Sequence, residues 1–477
     1  MSKRGKMLFI IHDLYQEDNS FPFGPAYMTS ILQRKGYEVD VCCQDVYHYD
    51  NHELVEQFLK PNLYDLIGIG FLAARFKETV LTLCHTINEY KKGAWLVLGG
   101  HGASPIPEYI LETTQADIVA IGEAEETIID LMECKIGGGK DLFKVRGVAF
   151  REDGNISVNP RRTPIRDLDS IPLPAWDAFP MDKYTTGFKF ECMDDNGRAL
   201  GIATSRGCVN RCNFCYRMEK GIRFRSVELV VEEMRILHES YGVSYFIMQD
   251  ELFVASKKRI FEFRDCIKKN GLKIQYDCNA RVDIFDEELV ESLKDSGCVF
   301  VNFGMESSDQ NVLDLMGKRT TVEQNIKAAE LTRRVGLTVG LNFIWGNVGD
   351  TEESLKGNVK LIKQYNTYFQ LRTIRPVTPY PGSPLYYEAI NRGLLTGPGD
   401  FFEKFENSDL STVNFTNIPD KTFYKILFEA NKDLILDHYQ NTSQDMDEAN
   451  AIIQQFYRLY FEEDYKFRGA RHYKRED

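Results

Sequence analysis

The sequence predicts an α/β protein with an N-terminal doubly wound parallel sheet, then a partial (β/α)6 barrel, then a helical C-terminal region. Two observations carry this prediction: strand-like apolar runs alternate with helical stretches over the first part of the chain, and a second such series begins near residue 196. At 477 residues the chain is also too long for one core. We therefore expect a sheet domain over 1–150, a linker over 151–195, a barrel over 196–390 and a helical domain over 391–477.

Composition and charge narrow the class of protein. Lys and Arg number 58 against 71 Asp and Glu, a formal net charge of -13, which argues against a nucleic-acid partner bound through a basic surface. No apolar run approaches the ~20 residues of a membrane span, and the N-terminal run is too short for a signal peptide. The eleven cysteines form an odd, scattered set apart from one triplet. This usage predicts a reduced, cytoplasmic compartment and metal chemistry rather than a disulfide framework.

The first domain is predicted to contain five buried parallel strands. Each run is almost continuously apolar, as a sheet covered by helices on both faces requires. The predicted strands cover residues 6–13, 37–43, 64–72, 94–100 and 116–122, with helices over 25–36 and 75–93 among the segments between them. Glycines gather at the C-terminal ends of the strands, where an open α/β sheet binds its ligands.

Two segments connect this domain to the next. Residues 145–160 are typical of a β-ribbon, with a turn at Asp153-Gly154. The proline-rich stretch 164–180 is predicted to lie over the surface as a linker.

Six further strands predict the barrel, whose chemistry would lie at their C-terminal ends. They cover residues 198–207, 243–250, 274–280, 298–307, 337–346 and 368–382. The amphipathic helices predicted over 421–439 and 449–467 are expected to pack their apolar stripes on the barrel.

The stretch "SRGCVNRCNFCYR" (205–217) presents three thiols, Cys208, Cys212 and Cys215, without a nearby fourth ligand. A structural zinc site takes four ligands, usually as two close pairs. Three thiolates on one short loop suit a cubane iron–sulfur cluster that leaves one iron open to chelate a small ligand. A zinc loop and three incidental buried cysteines are the alternatives.

With Phe214 as its aromatic residue and "TSRG" before it, this loop resembles the cluster loop of radical S-adenosylmethionine (SAM) enzymes. In that family the open iron of a [4Fe-4S] cluster binds the amino and carboxylate groups of SAM. The reduced cluster cleaves SAM to a 5′-deoxyadenosyl radical, and the backbone at the Phe214 position contacts the adenine. The resemblance implies a small-molecule substrate and a low-potential electron donor such as flavodoxin or ferredoxin.

Three downstream segments resemble further motifs of the family. In "FGMES" the resemblance implies that Glu306 contacts SAM, and in "YDCNARVD" that Arg281 meets the SAM carboxylate. The segment "LNFIWGNVGDTEES", which contains Gly346, resembles the motif that lines the adenine side. It departs from that motif at Val348 and Asp350. Since a carboxylate buried without a partner is costly, a functional role for Glu306 is favoured over the alternative of a solvated or core polar residue. Arg281 has the alternative of ion pairing with a neighbouring aspartate.

The order of the two α/β regions resembles the cobalamin-binding-domain subgroup of radical SAM enzymes, over residues ~5 to ~390. In cobalamin domains the third strand ends in S-x-L and the fourth in Gly-Gly, and both lie close to the cofactor. This chain keeps the leucine and the glycine pair but lacks the serine. The segment "AIGEAEETI" after the fifth strand is also typical of the subgroup. The implied cobalamin-binding residues are Gly70, Phe71, Leu72, Gly99, Gly100, Gly122 and Glu123.

The D-x-H-x-x-G motif, whose histidine binds cobalt from below in mutases, is absent. His12 precedes Asp13 and the spacing to the next glycine differs, so we interpret His12 as a polar residue at a strand end. Arg75 has two interpretations: a neighbour of the lower cobalt face, or a helix-start residue that pairs with Glu78.

These resemblances imply a cobalamin-dependent radical SAM enzyme, with methyl transfer to a poorly activated carbon or phosphorus centre as the leading function. A radical cyclase, oxidase or rearrangement enzyme of the same architecture is the alternative. A non-catalytic iron–sulfur or cobalamin sensor is a third hypothesis from a different class. The sequence assigns no catalytic acid or base.

Overall fold

The computed structural model describes residues 5–14, 20–139, 141–152, 154–188, 193, 197–442 and 444–462. The described residues form two compact units. One contains residues 5–188 and 218–223, and the other contains residues 197–217 and 224–462.

A seven-stranded sheet is the centre of the first unit. Its strands are β1 (Lys6–Ile11), β2 (Glu38–Cys43), β3 (Leu66–Gly70), β4 (Trp95–Gly99), β5 (Ile118–Ala120), β6 (Val148–Glu152) and β7 (Asn155–Val158). They lie in the order β2-β1-β3-β4-β5-β6-β7, and the first five are parallel. The doubly wound parallel sheet is therefore confirmed, and each of the five predicted apolar runs contains one strand.

The predicted β-ribbon belongs to this same sheet. Strand β6 lies antiparallel to β5, with Val148 opposite Ala120, and β7 lies antiparallel to β6. The sheet thus continues beyond residue 150. Asp153 lies outside the described residues, and Gly154 has a φ of +82°.

Helices and short helical turns cover the first sheet. The α-helices are α1 (Phe23–Arg34), α2 (Gln44–Tyr47), α3 (Asn51–Leu54), α4 (Leu81–Tyr90), α5 (Pro107–Thr114), α6 (Glu125–Ile136) and α7 (Met181–Thr186). The helix predicted over 75–93 begins irregularly, with a 3₁₀ turn at Ala73–Arg75 and a π turn at Phe76–Val80 before α4. A second π turn covers Val55–Leu59, and further 3₁₀ turns cover Leu142–Lys144, Leu168–Ser170 and Trp176–Ala178.

The proline-rich segment after the ribbon carries buried side chains. Leu168 and Ile171 pack with Tyr27 of α1 in a small apolar cluster. The Trp176 ring lies 4.6 Å from the ring of Phe21. The segment therefore contributes to the core of the first unit and does more than cross its surface.

A second parallel sheet is the centre of the other unit. The strands after residue 197 are β8 (Arg198–Ile202), β9 (Ser205–Cys208), β10 (Gly221–Phe224), β11 (Val243–Met248), β12 (Gln275–Ala280), β13 (Cys298–Glu306), β14 (Thr338–Trp345) and β15 (Arg375–Pro376). Six of them form the sheet β15-β14-β13-β12-β11-β8, in which all the neighbours are parallel. This open half-barrel confirms the predicted partial (β/α)6 fold.

The sixth strand is much shorter than the predicted run 368–382. Only Arg375 and Pro376 pair with β14, opposite Ile344 and Trp345. The Val377 N–H still donates to the Trp345 carbonyl at 2.8 Å, but the prolines at 379 and 381 lack the N–H that a sheet ladder needs, so the pairing does not continue beyond it.

Ten helices of the described chain accompany this sheet. They are α8 (Val227–Tyr241), α9 (Lys257–Lys269), α10 (Glu287–Asp295), α11 (Gln310–Leu315), α12 (Val322–Val335), α13 (Glu352–Tyr365), α14 (Pro384–Asn391), α15 (Pro398–Lys404), α16 (Asp420–Thr442) and α17 (Met446–Phe461).

Helix α16 packs on the sheet, as its apolar stripe predicts, and α17 packs on α16. The Phe423 ring of α16 stacks on Trp345 of β14 with 4.4 Å between the ring centroids. The Asn431 amide of α16 accepts a hydrogen bond from the Ile374 N–H at 2.7 Å and donates one to its carbonyl at 3.0 Å. None of the described helices combines the length and apolar character that a membrane crossing requires.

Candidate active site

The three cysteines of the 205–217 loop lie where β8 ends, at the C-terminal rim of the half-barrel. Cys212 is buried, and Cys208 and Cys215 are more accessible. Burial raises the pKa of the Cys212 thiol; the charges of Lys318 and Arg281 oppose this rise, and those of Glu306 and Cys208 add to it. Positive charge beside a cysteine favours its thiolate, which is the form that binds metal.

A buried carboxylate holds the entrance of the loop. Asp250, which follows β11, accepts hydrogen bonds from the Thr204 hydroxyl at 2.9 Å, from the Thr204 N–H at 3.2 Å and from the Ser205 hydroxyl. Burial raises the pKa of Asp250, and these donors favour its charged form. Sequence reasoning missed this residue, although an aspartate at the end of an apolar strand was a visible signal.

Asn213 anchors the second half of the loop, next to the predicted adenine contact Phe214. Its N–H donates to the Met316 carbonyl at 2.8 Å, and its carbonyl accepts from the Leu385 N–H at 2.8 Å. Its amide exchanges two hydrogen bonds with the fully buried Asn347, at 3.2 and 3.5 Å. The loop is therefore positioned by groups other than its cysteines.

Glu306 at the end of β13 has the partner that its burial requires. Its Oε1 accepts a hydrogen bond from Lys318 Nζ at 2.7 Å, and both side chains are less than a tenth exposed. Glu306 has a φ of +64°, in a conformation that is uncommon for a residue with a side chain. Gly304 makes room for the pair, because a Cβ at that position would lie 2.5 Å from Glu306 Oε1.

Arg281 is buried beside the same pair. Its guanidinium donates to the Lys318 carbonyl at 2.8 Å and to Asp283 at 3.3 Å. The ion pair that the sequence left as an alternative is therefore present with Asp283. The structure brings Arg281, Glu306 and Lys318 together next to the cysteine loop, and sequence reasoning missed the lysine.

Gly346 lies at the end of β14 under the ring of Phe423, where a Cβ would come within 2.9 Å of that ring. The loop after it, which departs from the family motif, has its own support. Asp350 accepts from the Asn347 N–H at 2.9 Å and from the Ser354 hydroxyl at 2.7 Å. Burial raises the pKa of Asp350 to about 7.

In the first unit, the predicted cobalamin residues line the C-terminal edge of the sheet. Gly70 pairs with Gly99, and among the described residues, its two chain neighbours aside, no atom lies within 4 Å of where a Cβ at Gly70 would be. Phe71 is buried against Phe76, whereas Leu72 is 61% exposed, which is unusual for a leucine at the rim of a parallel sheet. This edge has open space and an apolar side chain to receive a ligand.

Ser104, which sequence reasoning missed, ties the glycine turns of this edge together. Its hydroxyl donates to the Gly100 carbonyl at 2.8 Å and accepts from the Gly122 N–H at 3.1 Å. Gly100 and Gly122 both have a φ of +88°. Glu123 forms an ion pair with Arg223, with 3.0 Å between Oε2 and Nη1.

His12 is buried just after β1, and within the described residues neither of its ring nitrogens has a hydrogen-bond partner. Burial lowers its pKa to about 4, and the charge of Arg75 adds to this effect. The neighbouring Asp13 contacts His48 Nδ1 at 3.0 Å. The Glu78 side chain lies outside the described residues, so its pairing with Arg75 stays a hypothesis.

The residues fit the groups that the resemblance implies. Among the described residues, no set of three or more His, Cys, Asp or Glu side chains is arranged around one metal ion. The open edge at Gly70 and the charged groups at Glu306 suit cobalamin and SAM respectively.

Comparison with known proteins supports the same assignment. Residues 202–362 match the family model of the radical SAM superfamily, and residues 17–132 match that of the B12 binding domain. An uncharacterized methyltransferase of Pyrococcus horikoshii is 33% identical over 78% of this chain and 79% of its own. A cytidylyl-2-hydroxyethylphosphonate methyltransferase of Streptomyces wedmorensis is 27% identical over 79% of each chain.

Solved structures share the fold. The radical SAM methyltransferase TsrM from Kitasatospora setae, with cobalamin and a [4Fe-4S] cluster, superposes with a TM-score of 0.67 at 18% identity, over 83% of this chain and 80% of that one. The cobalamin-dependent radical SAM enzyme OxsB gives a TM-score of 0.66 at 20% identity, over 82% of this chain and 56% of that longer one. The chain has the three-cysteine loop, the glycine-rimmed sheet and the 33% identity to the Pyrococcus horikoshii methyltransferase. It therefore belongs to the radical SAM superfamily, in the group that carries a B12-binding domain.

Proposed function

We propose that the protein is a cobalamin-dependent radical SAM methyltransferase that acts on a poorly activated carbon or phosphorus centre of a small molecule. One observation carries the proposal: a single chain holds both the cysteine loop of the half-barrel and a sheet edge with open space at Gly70. The methyltransferase relative in Pyrococcus horikoshii supports methyl transfer. A [4Fe-4S] cluster, SAM and cobalamin are the cofactors that this function uses.

When bound, the cluster supplies the electron that cleaves SAM, and cobalamin supplies the methyl group. Cys208, Cys212 and Cys215 would hold the cluster, and Asp250 and Asn213 keep their loop in place from both ends. These hydrogen bonds position the loop at Thr204 and at Asn213, on either side of its first two cysteines.

The charged group next to the loop would bind the amino-acid part of SAM. Glu306 offers a carboxylate to the SAM ammonium, and Arg281 and Lys318 offer positive charge to the SAM carboxylate. Because all three side chains are buried, their interactions with a charged ligand are weakly screened by water.

Glu306→Gln is expected to weaken SAM binding by about tenfold or more, since it removes a charge-assisted hydrogen bond. Glutamine keeps an acceptor for Lys318, whereas alanine would leave a buried ammonium unpaired at a cost of about 3–5 kcal/mol. Equilibrium dialysis of SAM with the reconstituted protein measures the effect. Glu287→Gln, in an exposed pair with Arg334, is the control. Unchanged SAM affinity in Glu306→Gln, with a full cluster, would reduce Glu306 to a structural carboxylate.

His12→Ala is expected to leave the visible spectrum of bound hydroxocobalamin unchanged. His12 is buried where β1 ends, and the motif that presents a cobalt-binding histidine on the following loop is absent. Absorption spectra of the two proteins, each loaded with hydroxocobalamin, test this expectation. A displaced visible band in the variant would show that the imidazole coordinates cobalt.

A low-potential donor such as flavodoxin or ferredoxin is proposed as the source of the electron, because the family takes its electrons from external reductants. Nucleic acid is not a proposed partner, in view of the net charge of -13. A cytoplasmic location stays a prediction, supported by cysteines that are free throughout the described residues.

The test is anaerobic reconstitution with SAM, reductant and hydroxocobalamin, followed by mass spectrometry of the products. A methyltransferase yields 5′-deoxyadenosine, S-adenosylhomocysteine and a substrate that has gained one CH2 unit. The cyclase alternative has support in an anaerobic magnesium-protoporphyrin IX monomethyl ester cyclase of Rubrivivax gelatinosus, 29% identical over 77% of this chain. A cyclase would give a product that has lost hydrogen, and a sensor would give no 5′-deoxyadenosine.

A further inference from the structure

A row of amide side chains crosses the half-barrel sheet, one on each of three neighbouring strands. Asn302 Nδ2 of β13 donates to Asn279 Oδ1 of β12 at 3.0 Å, and Asn342 Nδ2 of β14 donates to Asn302 Oδ1 at 2.9 Å. Arg372, just before β15, continues the row with a hydrogen bond from Nη1 to Asn342 Oδ1 at 3.0 Å. We call these four residues the asparagine–arginine row.

The row lies on the face of the sheet that the helices leave uncovered. Asn279 is exposed and Asn302 and Asn342 are half-buried, whereas the alternating neighbours Val301 and Phe303 are buried on the other face. On β12, Asn279 lies two residues before Arg281, which directly follows the strand, and on β13, Asn302 lies four residues before Glu306. At about 3.3 Å per residue, the row is roughly 7–13 Å deeper in the barrel than the proposed SAM-binding side chains.

The arginine fixes the direction of every amide in the row. A guanidinium only donates, so Asn342 must turn its oxygen toward Arg372 and its NH2 toward Asn302. Because the Asn302 oxygen accepts from Asn342, its NH2 group must point toward the Asn279 oxygen. Each amide oxygen therefore already accepts one bond, while each NH2 keeps a second N–H. The row presents an excess of donors to the interior of the barrel.

Arg372 is a cation without a counter-ion in the part of the chain that the structure describes. Its second nitrogen donates to Gln370 at 3.1 Å, and its guanidinium lies 5.4 Å from the Phe300 ring centroid. Burial lowers its pKa to about 10, which still leaves it charged at neutral pH. By contrast, Arg375 three residues later is neutralised by Asp409 at 2.7 Å.

Space is kept free for this arginine. A Cβ at Gly340 of β14 would lie 2.7 Å from Arg372 Nη2 and 2.3 Å from Asn302 Oδ1. Only glycine therefore allows both side chains to occupy the middle of the sheet. Asp277, two residues before Asn279 on the same face, has its pKa raised to about 7 by burial, which disfavours its charged form.

We propose that the asparagine–arginine row is the substrate subsite for an oxyanion, a phosphate-type or carboxylate group of the molecule that the enzyme modifies. A half-buried guanidinium and several free amide donors are the partners that such a group requires. The assignment rests on the proposed function, since it names the substrate class of that same barrel. The reacting carbon or phosphorus would then lie above the row, toward the SAM-binding side chains.

The experiment is equilibrium dialysis with labelled inorganic phosphate and, separately, labelled acetate. It uses the reconstituted protein saturated with SAM and hydroxocobalamin, so that the cofactor sites cannot take up the probe. We expect saturable binding of at least one probe, weakened about tenfold or more by Arg372→Met. Arg372→Lys should retain part of the affinity because it retains the charge. Arg375→Met is the matched control and should bind like the wild type.

Binding that survives Arg372→Met, or that falls equally in Arg375→Met, would overturn the subsite, as would the absence of binding for both probes. Tighter binding of phosphate or of acetate identifies the class of oxyanion. Should Arg372→Met fail to fold, Asn302→Leu interrupts the row without removing its charge and should also weaken binding. Substrate-free cleavage of SAM is measured on the same samples, so failure of the proposed function appears there and is distinguishable from failure of the subsite.

Discussion

Replacing Cys208, Cys212 and Cys215 together with alanine is expected to remove the cluster and to reduce SAM cleavage to background. The wild-type protein, purified anaerobically, should contain about four iron and four sulfide ions per chain. The triple variant should contain almost none, because outside this loop no three cysteines lie close together in the sequence. Iron and sulfide analysis and the yield of 5′-deoxyadenosine measure the two losses.

The variant should still fold, which makes the result interpretable. The loop is held by Asp250 at its start and by the Asn213–Asn347 amide pair in its second half. Thermal unfolding monitored by circular dichroism checks that the fold is intact. Cys266→Ala, on helix α9 and outside the loop, is the matched control and should keep a full cluster. A triple variant that keeps four irons would refute the ligand assignment.

Gly70→Trp is expected to abolish cobalamin binding, the second large effect. Gly70 ends β3 opposite Gly99, and in the part of the chain that the structure describes no atom beyond its two chain neighbours lies within 4 Å of where its Cβ would be. An indole in that space would occupy the room that a large flat ligand needs at the sheet edge. Retention of hydroxocobalamin after gel filtration, read from its visible absorption, gives the occupancy.

Gly70→Ala is the control for this position. A methyl group fits the open space, so this variant should retain about one cobalamin per chain, as the wild type should. Gly100 is a poorer position for the test, because its φ is +88° and a Cβ would lie 3.0 Å from the Phe71 carbonyl oxygen. Full occupancy in a folded Gly70→Trp protein would place the cofactor elsewhere. If the wild-type protein does not retain cobalamin, methyl transfer from cobalamin is ruled out as its mechanism, while the radical SAM assignment stands.

The ion pair of Glu306 shows which features of the site could be predicted from the sequence. An acidic residue at the end of the apolar run "CVFVNFGMES" required a buried partner, and the structure supplies Lys318. The requirement could be predicted from the cost of burying a charge. The identity of the partner could not, because Lys318 follows α11 in the segment "LMGKRT", which has no periodic pattern of its own.

The sequence by itself determined the two parallel sheets, the three-cysteine loop and the glycines at the sheet edge. These follow from local information: continuous apolar runs for strands that are buried on both faces, and close spacing for ligands of one cluster. The length of a strand was predicted less well. Of the run 368–382 only Arg375 and Pro376 pair with β14, and the prolines that follow have no N–H to donate to a longer ladder.

Only the tertiary structure decided which distant groups meet. Asp250 reaches Thr204, Asn347 reaches Asn213, and Ser104 joins the glycine turns at 100 and 122. The same holds for the asparagine–arginine row, whose members lie on separate strands and match because parallel register places Asn279 beside Asn302. Hydrogen bonds of this kind depend on the order and register of strands far apart in the chain. Polar residues leave no periodic trace in the sequence, so their pairing emerges only when the sheets assemble.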